Sequence, residues 1–154
     1  MNKLKAILAT MLLMTISHFS NAASVQDVMK KFEGAGIYEV DWDKEDGVYS
    51  AESNNEVRYI KVKIGNEKAL ARIDLANQND FQILAVMNCY YLTSLVPMDR
   101  AKTWSDDPTE DELLLQSVLD KDIKTGQTRE NNIKGWNVSF TRTQEGAHCS
   151  VKKL

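Results

Sequence analysis

Few residues in this chain have the type and spacing that chemistry requires. Cys89 and Cys149 are its two thiols. An even pair in an oxidising compartment favours a disulfide, and the C-x-x-C spacing of redox sites is missing. Such a bridge closes a loop of about 60 residues and is worth on the order of 4 kcal/mol in the chain-entropy account. His148 is the one histidine outside the N-terminal leader, since His18 lies within it. A lone histidine does not build a multi-histidine metal site. It can serve as a general base, with Ser150 or Ser139 imitating part of a triad, but no nucleophile elbow surrounds these residues. His148 therefore reads as an exposed strand residue. No glycine-rich phosphate loop is present.

Two acidic stretches invite other chemistry. Asp41, Asp43 and Glu52 fit the first, third and twelfth positions of a calcium loop. The glycine that such a loop requires at its sixth position stands at the seventh, as Gly47. The stretch also alternates like a hairpin, which favours an acidic turn facing water. The second stretch, Ser105-Asp106-Asp107 with Glu110-Asp111-Glu112, starts a helix, and acids suit the positive end of a helix dipole. Trp104 precedes it in a polar loop. A large aromatic rimmed by charge is an interface anchor if exposed and a core residue if buried. The candidate interface is thus Trp104, Asp106, Asp107, Glu110 and Asp111, and its negative charge would steer a basic partner.

Residues 1–22 belong to targeting. Lys3 and Lys5 precede an apolar run from Ala6 to Ile16, and Ser20-Asn21-Ala22 ends in small residues. This reads as a secretory signal peptide cut after Ala22, which places the mature protein in the periplasm or outside the cell. Removing 22 of 154 residues leaves 132, from Ala23 to Leu154, enough for one domain with one core. The leader takes two of 19 basic residues and no acids, so 17 stand against 22 and the net charge becomes −5. That balance excludes a nucleic-acid footprint, and no stable membrane insertion is expected after cleavage.

The elements that must position these groups follow from periodicity. Ser24 and Asp27 cap a short helix carrying Val25, Val28, Met29 and Phe32, ended by Gly34 and Gly36. Tyr38, Val40 and Trp42 alternate with acids and read as a strand. Asp46-Gly47 turns the chain into Val48–Ser53. Val57–Ile64 and Ala69–Leu75 follow around Gly65-Asn66, completing a four-stranded antiparallel meander. Asn79 to Pro97 is apolar nearly all round and reads as a buried helix, with a strand at Phe81–Met87 and a shorter helix as the competing reading. A helix starting at Asp107-Pro108 presents Leu114, Leu115, Val118, Leu119 and Ile123 and stops at Gly126. Thr125 to Lys134 reads as an exposed polar stretch. Trp136–Thr141 and Ala147–Val151 form a C-terminal hairpin turned at Glu145-Gly146, with Cys149 on its apolar face.

The helix Val28–Phe32 and the sequence IYEVDWDKEDGVYSAE from Ile37 to Glu52 resemble PepSY-type modules, small secreted or membrane-attached α+β units. The shared features are a short helix, a Y-x-V-x-W segment, an acidic Asp-Gly turn and a strand opening V-Y. The glycine-containing ending of such modules is not evident after Ile73. The resemblance implies a non-catalytic binding or peptidase-restraining role and carries over no catalytic residue.

The expectation is therefore one α+β domain over residues 23–154. An antiparallel sheet, a four-stranded meander plus a C-terminal hairpin, packs against two or three helices with one disulfide. Its expected function is that of an exported, non-catalytic protein-binding domain of inhibitor, immunity or accessory type, with no cofactor. The alternatives are a carrier of a small apolar ligand between sheet and central helix, and a small hydrolase using His148.

Overall fold

A computed structural model describes residues 22–103 and 106–154. The expected signal peptide, Ala22 excepted, and Trp104 and Ser105 lie outside the described residues.

Seven antiparallel strands form one sheet in the order β1-β2-β3-β4-β7-β6-β5. They are β1 (Asp43–Glu45), β2 (Val48–Asn54), β3 (Arg58–Ile64), β4 (Lys68–Leu75), β5 (Thr128–Ile133), β6 (Trp136–Arg142) and β7 (Gly146–Lys153). The meander and the C-terminal hairpin join where β4 pairs with β7, Ala71 standing opposite Cys149. Three helices, α1 (Val25–Lys31), α2 (Met87–Leu92) and α3 (Glu110–Val118), complete the α+β fold.

The period-two pattern decides which face is covered. Ile60, Val62 and Ile64 of β3, Ala69, Ala71 and Ile73 of β4, and Ala147, Cys149 and Val151 of β7 are all buried. Val25 and Val28 of α1, Cys89 and Leu92 of α2, and Leu115 and Val118 of α3 belong to the same core. Phe32 anchors one end, edge-on to Tyr91 at 5.5 Å and to Trp42 at 6.2 Å. Phe81 packs against Phe140 at 6.0 Å. The Cys89–Cys149 disulfide, with Cα atoms 5.7 Å apart, ties α2 to β7 through this core.

Four local readings are corrected. Tyr38 to Trp42 is not a strand: Glu39–Asp41 is a 3-10 turn, in which Asp41 accepts from the Tyr38 amide at 2.7 Å. Val40 is consequently 92% exposed, and Trp42 is half-buried against Phe32. The Asn79–Pro97 stretch is helical but composite, a π segment at Phe81–Val86, then α2, then a 3-10 turn at Thr93–Leu95. It is not apolar-buried all round, since Ile83 is 70% exposed and Met87 also faces outward. Asn79 does not cap it: Asn77 caps a 3-10 turn at Gln78–Asp80 that leads into the π segment, which has no side-chain cap of its own. The next helix begins at Thr109, not Asp107, because Thr109 and Glu112 form a capping box, and it ends at Val118. Thr125 to Lys134 contains β5, which pairs with β6 through a turn at Lys134-Gly135 whose φ values are 49° and 78°.

Gly146 opens β7 rather than serving as a turn residue. A Cβ placed there would lie 2.1 Å from the Ile73 carbonyl oxygen. The glycine is required by the close approach of β4.

Candidate functional site

The loop residues 99–103 and 106–109 are pinned by the acids of α3. Asp111 accepts from the Asp99 amide at 2.7 Å and stands 3.6 Å from Lys134 Nζ. Glu112 accepts from the Thr109 amide at 2.9 Å and the Ala101 amide at 3.2 Å. These donors, the Thr109 amide first, hold the Glu112 carboxyl below its usual range despite the opposing effect of burial. The Thr109 hydroxyl donates to the Asp99 carbonyl at 2.7 Å. A cleft of about 470 Å³ lies beside the loop, between Tyr90 and α3, and Arg100 donates to the Tyr90 hydroxyl across its edge at 2.7 Å.

The candidate interface is divided by this arrangement. Asp106, Asp107 and Glu110 are exposed, and Asp106 also accepts from the Thr103 amide at 2.9 Å. Asp111 is 8% exposed and is turned toward the Asp99 amide, so it serves the fold. Arg100 and Lys102 line the same cleft as Asp106 and Glu112, giving it mixed charge. Trp104 lies outside the described residues. The acidic calcium-like stretch is a hairpin: Asp46 and Gly47, at φ 49° and 78°, turn β1 into β2. Among the described residues no group of three or more His, Cys, Asp or Glu is placed to hold a metal ion.

Comparison with models of known families, with characterised proteins and with solved structures found no match. The chemistry of its surfaces is therefore the guide to what the chain does.

The opposite face of the sheet carries a second arrangement. Among the described residues no helix covers the outward residues of β3, β4 and β7, and Lys61, Lys63, Lys68, Leu70, Arg72, His148 and Lys152 are exposed. Across neighbouring strands Lys61 stands opposite Arg72, Arg72 opposite His148, and His148 opposite Thr141. One step along, Lys63 faces Leu70, Leu70 faces Ser150, and Ser150 faces Ser139. Further along, Lys68 stands opposite Lys152. A shallow trough of about 390 Å³ lies over the first two rows, and no carboxylate lines it among the described residues. A second trough of about 360 Å³ continues from it, sharing Lys63 and Leu70, and ends at Glu45 and Asp46.

Two of these cations have partners. Lys61 pairs with Glu52 at 2.5 Å and Arg72 with Asp74 at 2.8 Å, and each carboxylate raises its partner's affinity for the proton. Lys63, Lys68 and Lys152 make no ion pair among the described residues. His148 is exposed as expected, with a cation and a hydroxyl as its strand neighbours. Sequence patterning places each of these residues outward. It does not reveal that they meet, because the β4–β7 pairing is remote in sequence. The available signal was the crowding of Lys61, Lys63, Lys68 and Arg72 at outward positions in an acidic chain.

Proposed function

We propose that the mature chain is an exported, non-catalytic domain that binds another protein, as an inhibitor, immunity factor or accessory subunit does, and that it works through the uncovered face of its sheet. The observation that carries this reading is the contrast between the two faces. One is filled by the core and three helices; the other is bare at its centre, concave and lined by cations and hydroxyls. Among the described residues no carboxylate lines the trough beside His148 to orient it, as a hydrolytic relay requires. Ala85, Cys89 and Leu92 fill the space facing the sheet, which favours protein binding over carriage of an apolar ligand there. Export is supported by the leader pattern and by the disulfide, a bond of oxidising compartments. No helix among the described residues is long and apolar enough to cross a membrane. The resemblance to PepSY-type modules suggests the same non-catalytic role, resting here on α1 and the Asp46-Gly47 hairpin.

The loop beside α3 is the second surface. Asp106, Asp107 and Glu110 remain exposed at its rim and suit a basic partner. The two surfaces are separated by mutation. Ser150→Tyr fills the trough without changing charge; Asp107→Lys with Glu110→Lys reverses the loop. A partner captured from the protein's own exported fraction should be retained by the loop variant and lost by Ser150→Tyr. The reverse pattern would move the interface to the loop. A small apolar molecule retained in the native mass spectrum would establish the carrier instead.

A further inference from the structure

The sheet's bare face departs from the rule by which strands pair their charges. Residues directly opposite on neighbouring strands have Cβ atoms about 5 Å apart, and like charges placed so are destabilising. Lys61 opposite Arg72 and Lys68 opposite Lys152 are two such pairs. The same face also uses the favourable alternative, since Glu52 stands opposite Lys61. A carboxylate at Lys68 would give Lys152 the same relief. Lys61 and Arg72 are relieved by Glu52 and Asp74, whereas Lys68 and Lys152 have no such contact among the described residues, and a local rule broken without compensation points to function.

Five cations, Lys61, Lys63, Lys68, Arg72 and Lys152, are thus gathered on three neighbouring strands of a chain whose total charge is −3. Glu52 and Asp74 already pair with Lys61 and Arg72, and Glu45 and Asp46 close the far end of the second trough, which leaves Lys63, Lys68 and Lys152 without an ion pair among the described residues. We infer that this face docks an acidic segment of the partner protein, laid across β3, β4 and β7. The inference rests on the proposed function above and names the partner's chemistry.

Three observations select a polypeptide segment. Lys61, Lys63, Lys68 and Arg72 extend over both troughs, and Lys68 and Arg72, four residues apart on β4, are separated by about 13 Å, which is longer than a single phosphate or carboxylate spans. Exposed Leu70 lies at the junction of the troughs, where it can meet an apolar side chain. Ser139, Thr141 and Ser150 offer hydroxyls that hydrogen-bond a peptide backbone.

The test is a titration of the isotope-labelled mature chain, followed by backbone NMR in low salt. The probe is a ten-residue peptide alternating Glu with Thr. The controls are the same peptide with Gln for Glu, inorganic phosphate, and a ten-nucleotide oligothymidylate. The glutamate peptide should shift Lys63, Leu70, Arg72 and Ser150, and the glutamine peptide should bind at least tenfold more weakly. Lys68→Glu should weaken the glutamate peptide at least threefold while melting no lower than the parent, because it places a carboxylate opposite Lys152. Lys63→Glu should weaken it similarly without disturbing an ion pair. Shifts elsewhere, equal binding of phosphate or oligothymidylate, or indifference to both variants would overturn the inference. A native partner lost by Ser150→Tyr while the glutamate peptide fails to bind would overturn the acidic chemistry alone. A native partner retained by Ser150→Tyr would overturn the underlying reading.

Discussion

Reducing the Cys89–Cys149 bridge while the chain stays folded should lower its melting temperature by about 15 °C, taking about 4 kcal/mol of stability and an unfolding entropy near 0.28 kcal/mol/K for 132 residues. The stability figure follows from the loop, since the bridge joins residues separated by 60 positions and limits the freedom of the unfolded chain. The native side supports a full effect. Both sulfurs sit in the core, and the bridge joins α2 to β7, the strand at which the meander meets the C-terminal hairpin. The assay is calorimetry of exported protein with and without a phosphine reductant present throughout, with circular dichroism to confirm that the sheet persists. A fall of less than about 5 °C would refute the reasoning, because it would mean that the unfolded chain gains little freedom when the loop is opened. Free thiols at both positions in freshly exported protein would refute the bridge itself.

Gly146→Ala should destabilise the fold by about 1–3 kcal/mol, because its methyl group meets the Ile73 carbonyl and β4 must yield; urea denaturation of the variant checks this. Thr109→Ala removes the cap of α3 and the bond to the Asp99 carbonyl, and should remove about 1 kcal/mol, or roughly 3–4 °C of melting temperature. Acid should also weaken the fold. Asp27, Glu52, Glu112 and Asp120 all have folded-state pKa values below the ordinary ones, set chiefly by the Ser24 hydroxyl, Lys61, the Thr109 amide and the Asp122 amide respectively. Their contribution is complete above the unfolded pKa and is lost as pH falls through the folded values, so urea midpoints should hold from pH 7 to about 5 and decline below about 4. A midpoint as high at pH 3 as at pH 6 would contradict that assignment.

The strands that build the sheet were legible where one face is apolar. Ile60-x-Val62-x-Ile64 and Ala147-x-Cys149-x-Val151 alternate strictly, and both runs are strands with those residues inside. The disulfide was legible because the chain has two cysteines and each falls on an apolar face. β5 was not legible. It is an edge strand with one buried apolar residue, Ile133, and Lys134-Gly135 lacks the Asn or Asp that usually announces its turn. Tyr38 to Trp42 misled for the opposite reason: it alternates, but a 3-10 turn caps it before it can pair. Of the acids at the start of α3, sequence places Asp111 in the candidate interface, whereas Asp111 and Glu112 are acceptors for loop amides, a role visible only in three dimensions. The bare face shows the same limit. Patterning assigns Lys68 and Lys152 to the outside, but their register across β4 and β7 is what makes them a like-charged pair.

Lysine footprinting of the mature chain in complex with its captured native partner shows whether the partner sits on the bare face of the sheet. Rates of acetylation at individual lysines, with and without partner, report which surface is covered. Strong protection is expected at Lys63, Lys68 and Lys152, with Lys30, Lys102 and Lys121 reacting as in the free chain. Protection confined to Lys102, beside the loop, with the three sheet lysines still reactive, would contradict it.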